Sequence, residues 1–318
     1  MDISSETEQA RTYLKGKINK TPLLRFKSPF FLNHNEVYLK AENRQKKGSF
    51  KIRGIMYKLS RLSKKERQKG VIAFSAGNHA LSLAYSCSIF KIPSMIVLPI
   101  SINNSRLKKI SSFNSRIYKS TNVINDYIRL KKELDLTPVH PFDDIHIITG
   151  HGTIGTEIME QLPGVDIVFV PIGGGGLISG ISSILKAKNN RIKIIGVEPE
   201  EACVVKRSLK NKEIFYLHNQ KSIADCLLSP VAGNICLEIV REKVLKVITV
   251  SEEEIVKAMK IIWTSFGEIV EPSGAVSFAG FLKELSKYHR KKIVCVISGG
   301  NIEKKFFFNI INNDLREI

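Results

Sequence analysis

An α/β fold of parallel-rich sheets flanked by helices is what this sequence predicts. Three observations carry that expectation. Short apolar, β-rich runs alternate with helical patterns along the chain, and such alternation places helices on the faces of parallel sheets. The run Val165–Ile172 (VDIVFVPI) is almost wholly apolar, as a strand buried on both faces should be. Three small-residue loops, Ser75–His79, Gly173–Gly176 and Ser298–Asn301, each fall directly after a strand-like run. Open α/β sheets bind their ligands there, beyond the C-terminal ends of the strands.

The elements follow in order. Val71–Ser75 (VIAFS) reads as a strand leading into a helix from Asn78 to Phe90. Ser94–Leu98 is a second strand, ended by Pro99. Arg116–Lys119 is a third, before a helical run that ends near Asp135. Val165–Ile172 leads through four glycines into a helix reaching about Lys188. Ile192–Glu198, Val244–Val250 and Ile293–Ser298 supply the remaining strands. Ser251 with Glu254 forms a capping box for the helix that follows. Its stripe of Ile255, Val256, Met259, Ile262, Trp263 and Phe266 has helical spacing and belongs to the core, so Trp263 has no cofactor role.

Composition narrows the function. A chain of 318 residues fits one large or two modest domains. Its 43 % hydrophobic and 25 % charged residues are ordinary for a globular protein. The net charge of +19 is not ordinary, but the cations are spread along the chain. The tightest group, Lys64, Lys65, Arg67 and Lys69, reads as a solvated helix end, so no dedicated nucleic-acid partner is expected. Five separated cysteines without a C-x-x-C pair argue against a disulfide framework or a zinc site and fit a reducing cytoplasm. Met1–Ala10 is polar and acidic, unlike a signal peptide. No apolar run approaches the ~18 residues that span a bilayer, so no membrane partner is expected either.

Four consecutive glycines between a buried strand and a helix are costly in backbone entropy. One glycine would serve a tight turn; four suit a backbone that approaches an anion closely, with the following helix start completing the cradle. Leu177 and Ile178 follow Gly176 where a Walker loop needs Lys and Ser/Thr, so a nucleoside triphosphate is disfavoured. Ser75-Ala76-Gly77-Asn78-His79 is a small polar loop whose N–H groups can hold a carboxylate. Taken alone, Lys51 reads as a surface lysine and His79 as a structural histidine.

Their order along the chain changes that. Thr21-Pro22-Leu23, Lys40-Ala41-Glu42-Asn43, Gly48-Ser49-Phe50-Lys51-Ile52-Arg53-Gly54, Ser75-Ala76-Gly77-Asn78-His79-Ala80, His140-Pro141-Phe142-Asp143-Asp144, Gly150-x-Gly152-Thr153, Gly173–Gly176, Glu271-Pro272-x-Gly274-Ala275 and Ser298-Gly299-Gly300-Asn301 occur in this sequence. Together they closely resemble the serine/threonine dehydratase and serine racemase family of fold-type II pyridoxal 5'-phosphate (PLP) enzymes, over about Thr21 to Asn301.

The resemblance implies a two-domain, tryptophan synthase β-like fold. Residues 1–53 and 144–318 would form a large PLP-binding domain, and 54–143 a smaller one closing over a small amino-acid substrate. It implies that Lys51 forms the Schiff base with PLP and that Phe50 packs near the ring. Gly173, Gly174, Gly175 and Gly176, with Leu177, would hold the phosphate. Asn78 would bind the ring hydroxyl, and Ser298 would face the pyridine nitrogen. Ser75, Ala76, Gly77, Asn78 and His79 would receive the substrate, with Ser75 and His79 at its carboxylate. A hydroxyl at Ser298 makes the ring a weaker electron sink, which suits β-elimination. The implied activity is an ammonia-lyase that turns L-threonine or L-serine into a 2-oxo acid and ammonia, in a cytoplasmic homodimer.

Several positions depart from the family pattern. His151 stands where Gln is usual and Cys226 where Gly is usual. Glu198 and Ala202 match a family cation site, but its Asp position is Val204, so no metal is expected. A serine or hydroxyaspartate racemase, a hydroxyaspartate ammonia-lyase and a degenerate PLP binder are the alternatives. At this length no isoleucine-sensing regulatory domain is expected.

Overall fold

The computed structural model describes residues 3–27 and 32–312. In chain order the strands are β1 (Leu23–Arg25), β2 (Glu36–Ala41), β3 (Val71–Phe74), β4 (Ser94–Pro99), β5 (Arg116–Ser120), β6 (Thr137–Pro138), β7 (Ile167–Pro171), β8 (Lys193–Pro199), β9 (Lys246–Val250) and β10 (Lys292–Ile297). Among the described residues they build a six-stranded sheet, β1-β2-β10-β7-β8-β9, and a four-stranded sheet, β5-β4-β3-β6. Neighbours are parallel except β1 with β2. The α/β expectation holds, and so does each strand that was expected, to within two residues at most ends.

Parallel pairing decides where the site is. β10 lies between β2 and β7, with Ile297 level with Ala41 and Cys295 level with Phe169. The chain segments leaving β2, β7 and β10 therefore emerge side by side. Every residue of β7 is buried, because helices Ile145–Gln161 and Gly176–Lys188 cover one face and Pro272–Lys283 the other. Ser251 and Glu254 form the expected capping box on helix Glu252–Phe266, whose Ile255, Met259 and Ile262 are buried. Trp263 is half-buried against Phe307 and Phe308.

Some expectations need correction. β1, β2 and β6 were not expected. β9 begins at Lys246 and the helix expected to end near Asp135 ends at Glu133, each within two residues of the expectation. The cationic cluster is a whole short helix, Lys64–Lys69, capped by Ser63 and Glu66.

β2 hides a buried charge network that anchors the next helix. Arg53, on helix Lys51–Ser60, is 0 % exposed. It binds Glu42 at 2.8 Å and Glu157 at 2.7 Å, and Glu157 also binds Lys40 at 2.5 Å. Two cations face two carboxylates, so no buried charge stands alone. The helix that begins with Lys51 is thereby tied to β2 and to helix Ile145–Gln161.

Candidate active site

A cavity of about 300 Å³ opens where β3, β7 and β10 end, and Phe50, Lys51, Ser75–His79, Gly173–Leu177 and Ser298 all line it. The structure thus brings together residues spread over most of the chain.

Lys51 is the first residue of its helix, and β10 sets its place. Phe50 N–H donates to Ser298 O at 3.2 Å, and Gly300 N–H to Gly48 O at 2.9 Å. Gly48 has φ +72°, and a Cβ there would strike the Asn301 side chain at 2.6 Å. Glycine is needed on both counts. Lys51 Nζ donates to Pro141 O at 2.6 Å. Burial pulls its ammonium down to about 8, since a desolvated cation is disfavoured.

The glycine loop is held bare by its neighbours as well as by its chemistry. A Cβ on Gly174 would strike the Phe142 ring, and one on Gly176 would lie 2.8 Å from Phe142 O. Gly175 has φ +101° and faces Cys236. The first bond of helix Gly176–Lys188 runs from Ser179 N–H to Gly175 O. The N–H groups before it have no helical acceptor and can serve an anion. Phe142 reaches the loop from beyond β6, so it joins the two sheets across the cavity.

The opposite wall repeats the device. Helix Asn78–Phe90 makes its first bond from Leu81 N–H to Gly77 O, which leaves the N–H groups of Asn78, His79 and Ala80 without helical acceptors. Ser75 Oγ accepts from Gly77 N–H at 3.2 Å and shapes the turn. His79 Nε2–H donates to Val139 O at 2.9 Å, so its Nδ1 is a bare acceptor. Burial, with Lys51 nearby, pulls the imidazole down to about 3, and it is neutral. Ser298 Oγ, buried at the third wall, donates to Ser273 O at 3.3 Å.

Comparison with known proteins decides what this geometry belongs to. The family model described as "Pyridoxal-phosphate dependent enzyme" matches residues 14–299. The chain belongs to that family. It is 38 % identical over 314 residues to the L-threonine ammonia-lyase of Thermotoga maritima, covering 98 % of this chain and 78 % of that protein. It is 33 % identical to the L-threo-3-hydroxyaspartate ammonia-lyase of Saccharomyces cerevisiae, covering 95 % and 94 %. The solved structure of maize serine racemase superposes with a TM-score of 0.90 at 30 % identity, covering 96 % and 95 %.

The residues fit a PLP cofactor. A glycine loop on which any Cβ would press against Leu227, Phe142 or Cys236 lines the same cavity as a desolvated amine, and a hydroxyl rather than a carboxylate stands on the third wall. They do not fit the family's cation site. Glu198 spends both oxygens on Val205 N–H at 2.8 Å and Lys206 N–H at 2.9 Å, and Val204 is buried and apolar. Among the described residues no group of three or more His, Cys, Asp or Glu could hold a metal ion. The departures at His151 and Cys226 fall on different sides of this cavity wall. His151 is buried behind Phe50, edge-on at 4.7 Å, and Cys226 lines the cavity.

Other cavity residues had no role assigned from sequence. Arg106, on helix Asn104–Ser111, binds Asp225 at 2.6 Å at the mouth. Nothing in its surroundings sets it apart among 49 Lys and Arg residues. Glu271 lay in a quoted motif whose local sequence gives no reason for a place at the cavity.

Proposed function

We propose that this PLP enzyme is an L-threonine/L-serine ammonia-lyase that forms a 2-oxo acid and ammonia. One observation carries the proposal. The Lys51 amine, shifted to about 8, lies in a cavity walled by two helix N-termini. One suits a phosphate and the other a substrate carboxylate.

Lys51 would carry the cofactor, with Gly173–Leu177 at its phosphate, Phe50 beside the ring, Asn78 at the ring oxygen and Ser298 at the ring nitrogen. When bound, PLP supplies an electron sink for the bonds at Cα. Ser75–His79 orients the substrate through backbone N–H groups; His79 contributes its N–H rather than its acceptor ring. Lys51 Nζ, neutral once free, takes the Cα proton. Phe142 and the Arg106–Asp225 pair exclude water at the mouth. Arg106 is already neutralised by Asp225, which favours serine or threonine over a substrate with a second carboxylate.

Residues 54–143, which contain the four-stranded sheet, are proposed as the smaller closing domain over a large domain of 1–53 and 144–318. The protein is proposed to work in the cytoplasm, its five cysteines free, as a homodimer. No helix among the described residues is long and apolar enough to cross a membrane.

The test is direct. The purified protein should be yellow, borohydride should fix PLP on the peptide containing Lys51, and serine and threonine should lead a panel of hydroxy amino acids in 2-oxo acid release. A label on another lysine, or no oxo acid from any substrate, refutes the proposal.

A further inference from the structure

The orientation of the Asn78 carboxamide is settled outside the cavity. Lys47 O is a backbone carbonyl and can only accept, so it takes Asn301 Nδ2–H at 2.7 Å. The same Nδ2 donates its other hydrogen to Asn78 Oδ1 at 2.7 Å. With Oδ1 fixed, Asn78 Nδ2 turns to Glu271 Oε1 and donates at 2.6 Å. Flipping either amide would press oxygen against oxygen. Asn78 is 7 % exposed and Glu271 4 %, so water cannot repair such a flip.

An amide nitrogen has two hydrogens, and Glu271 takes one from Asn78. The other side of Nδ2 faces the Cys226 sulfur at 3.7 Å, a weak acceptor on the cavity wall. That second N–H is held only by the weak sulfur acceptor, which a ligand oxygen can replace. Glu271 is itself fixed. Its N–H donates to Gly299 O at 3.2 Å, and Pro272 follows it at the first position of helix Pro272–Lys283.

We infer that Glu271 and Asn301 are positioning residues that lock Asn78 with an N–H, not its carbonyl, turned to the cofactor's ring oxygen. The inference rests on the cofactor placement proposed above. Neither residue touches the reacting atoms. Each acts on which pole of the amide faces the cavity. A donor there stabilises a negatively charged oxygen, whereas a carbonyl repels it. The motif Glu271-Pro272-x-Gly274-Ala275 thereby acquires a purpose that its own sequence does not disclose.

PLP titration into cofactor-free protein tests this, with affinity and the circular dichroism of the visible band as readouts. Glu271→Gln keeps an acceptor oxygen and should stay within about threefold of wild type. Glu271→Leu should lose about tenfold or more and change the visible dichroism, with far-ultraviolet dichroism unmoved. Wild-type affinity and visible dichroism in Glu271→Leu overturn the inference. So does Glu271→Gln behaving as Glu271→Leu does, because charge rather than orientation would then matter. Where Glu271→Leu does not fold, the part-exposed Asn301→Ala decides by the same two readouts: loss supports the inference and no change overturns it. A wild-type protein that binds no PLP overturns the cofactor placement itself. Normal wild-type binding with unmoved variants overturns only the positioning role.

Discussion

Glu198 accepts a hydrogen bond from the backbone N–H of Val205 at 2.8 Å, deep beneath the end of β8. Its other oxygen takes Lys206 N–H, so the start of helix Val204–Asn211 occupies both oxygens, while burial pushes the carboxyl up to about 8. A hard cation needs several oxygen ligands, and Val204 supplies none from its side chain. Activity and melting temperature should therefore be unchanged by a chelator or by millimolar Mg²⁺ or Ca²⁺. Val204→Asp should create a dependence absent from the wild type: Ca²⁺ at about 100 times its Kd would stabilise by about 2.7 kcal/mol. A wild-type melt that rises with Ca²⁺ would show that Glu198 leaves the helix for a metal.

The lowered Lys51 pKa makes a stability prediction that needs no cofactor. Burial holds the folded-state value at about 8, against 10.5 in the unfolded chain. Below pH 8 the folded protein carries the full cost of a desolvated ammonium. Between pH 8 and 10.5 the unfolded chain binds the extra proton, so stability rises with pH. Cofactor-free Lys51→Met should melt above the wild type at pH 7, with the gap narrowing towards pH 10. Equal melting temperatures at pH 7 would mean that the amine is solvated and is not tuned as a base.

What was legible in the sequence follows from how each element is stabilised. β7 could be read because a strand buried on both faces needs an unbroken apolar run, and the glycine loop because glycine is costly without a reason. β2 could not. Its last residues run into Lys40 and Glu42, both 0 % exposed, and charges in a local window signal exposure. What permits their burial is Glu157 and Arg53, which only the fold brings near. β6 has two residues, too few for any periodicity. The glycines were read as an anion cradle, while the packing of Phe142 and Cys236 against them depends on contacts far along the chain.

Ser298→Asp tests the electronic assignment. Ser298 Oγ is buried and donates to Ser273 O, so a carboxylate there would meet that carbonyl and seek a proton from its surroundings. With PLP bound it would protonate the ring nitrogen and strengthen the electron sink. The variant should still bind PLP, with a shifted visible band, and eliminate about tenfold more slowly, a barrier increase of about 1.4 kcal/mol. Unchanged elimination with normal PLP binding would remove Ser298 from the mechanism.

Ala76 separates elimination from racemisation. Racemisation needs an acid–base group on each face of Cα, because the proton leaves one face and returns to the other. Lys51 can serve one face. Ala76 lines the same cavity in the loop opposite the glycines, and its methyl group cannot carry a proton. Ser75 stands one residue earlier, but its hydroxyl is engaged by Gly77 N–H within the turn. The wild type should therefore convert L-serine to pyruvate without appreciable D-serine. Ala76→Ser places a hydroxyl on that wall and should give measurable D-serine while keeping elimination. Chiral chromatography after incubation with L-serine reads both products. D-serine accumulating in step with pyruvate from the wild type would show that another group serves the second face, and would make the protein a racemase.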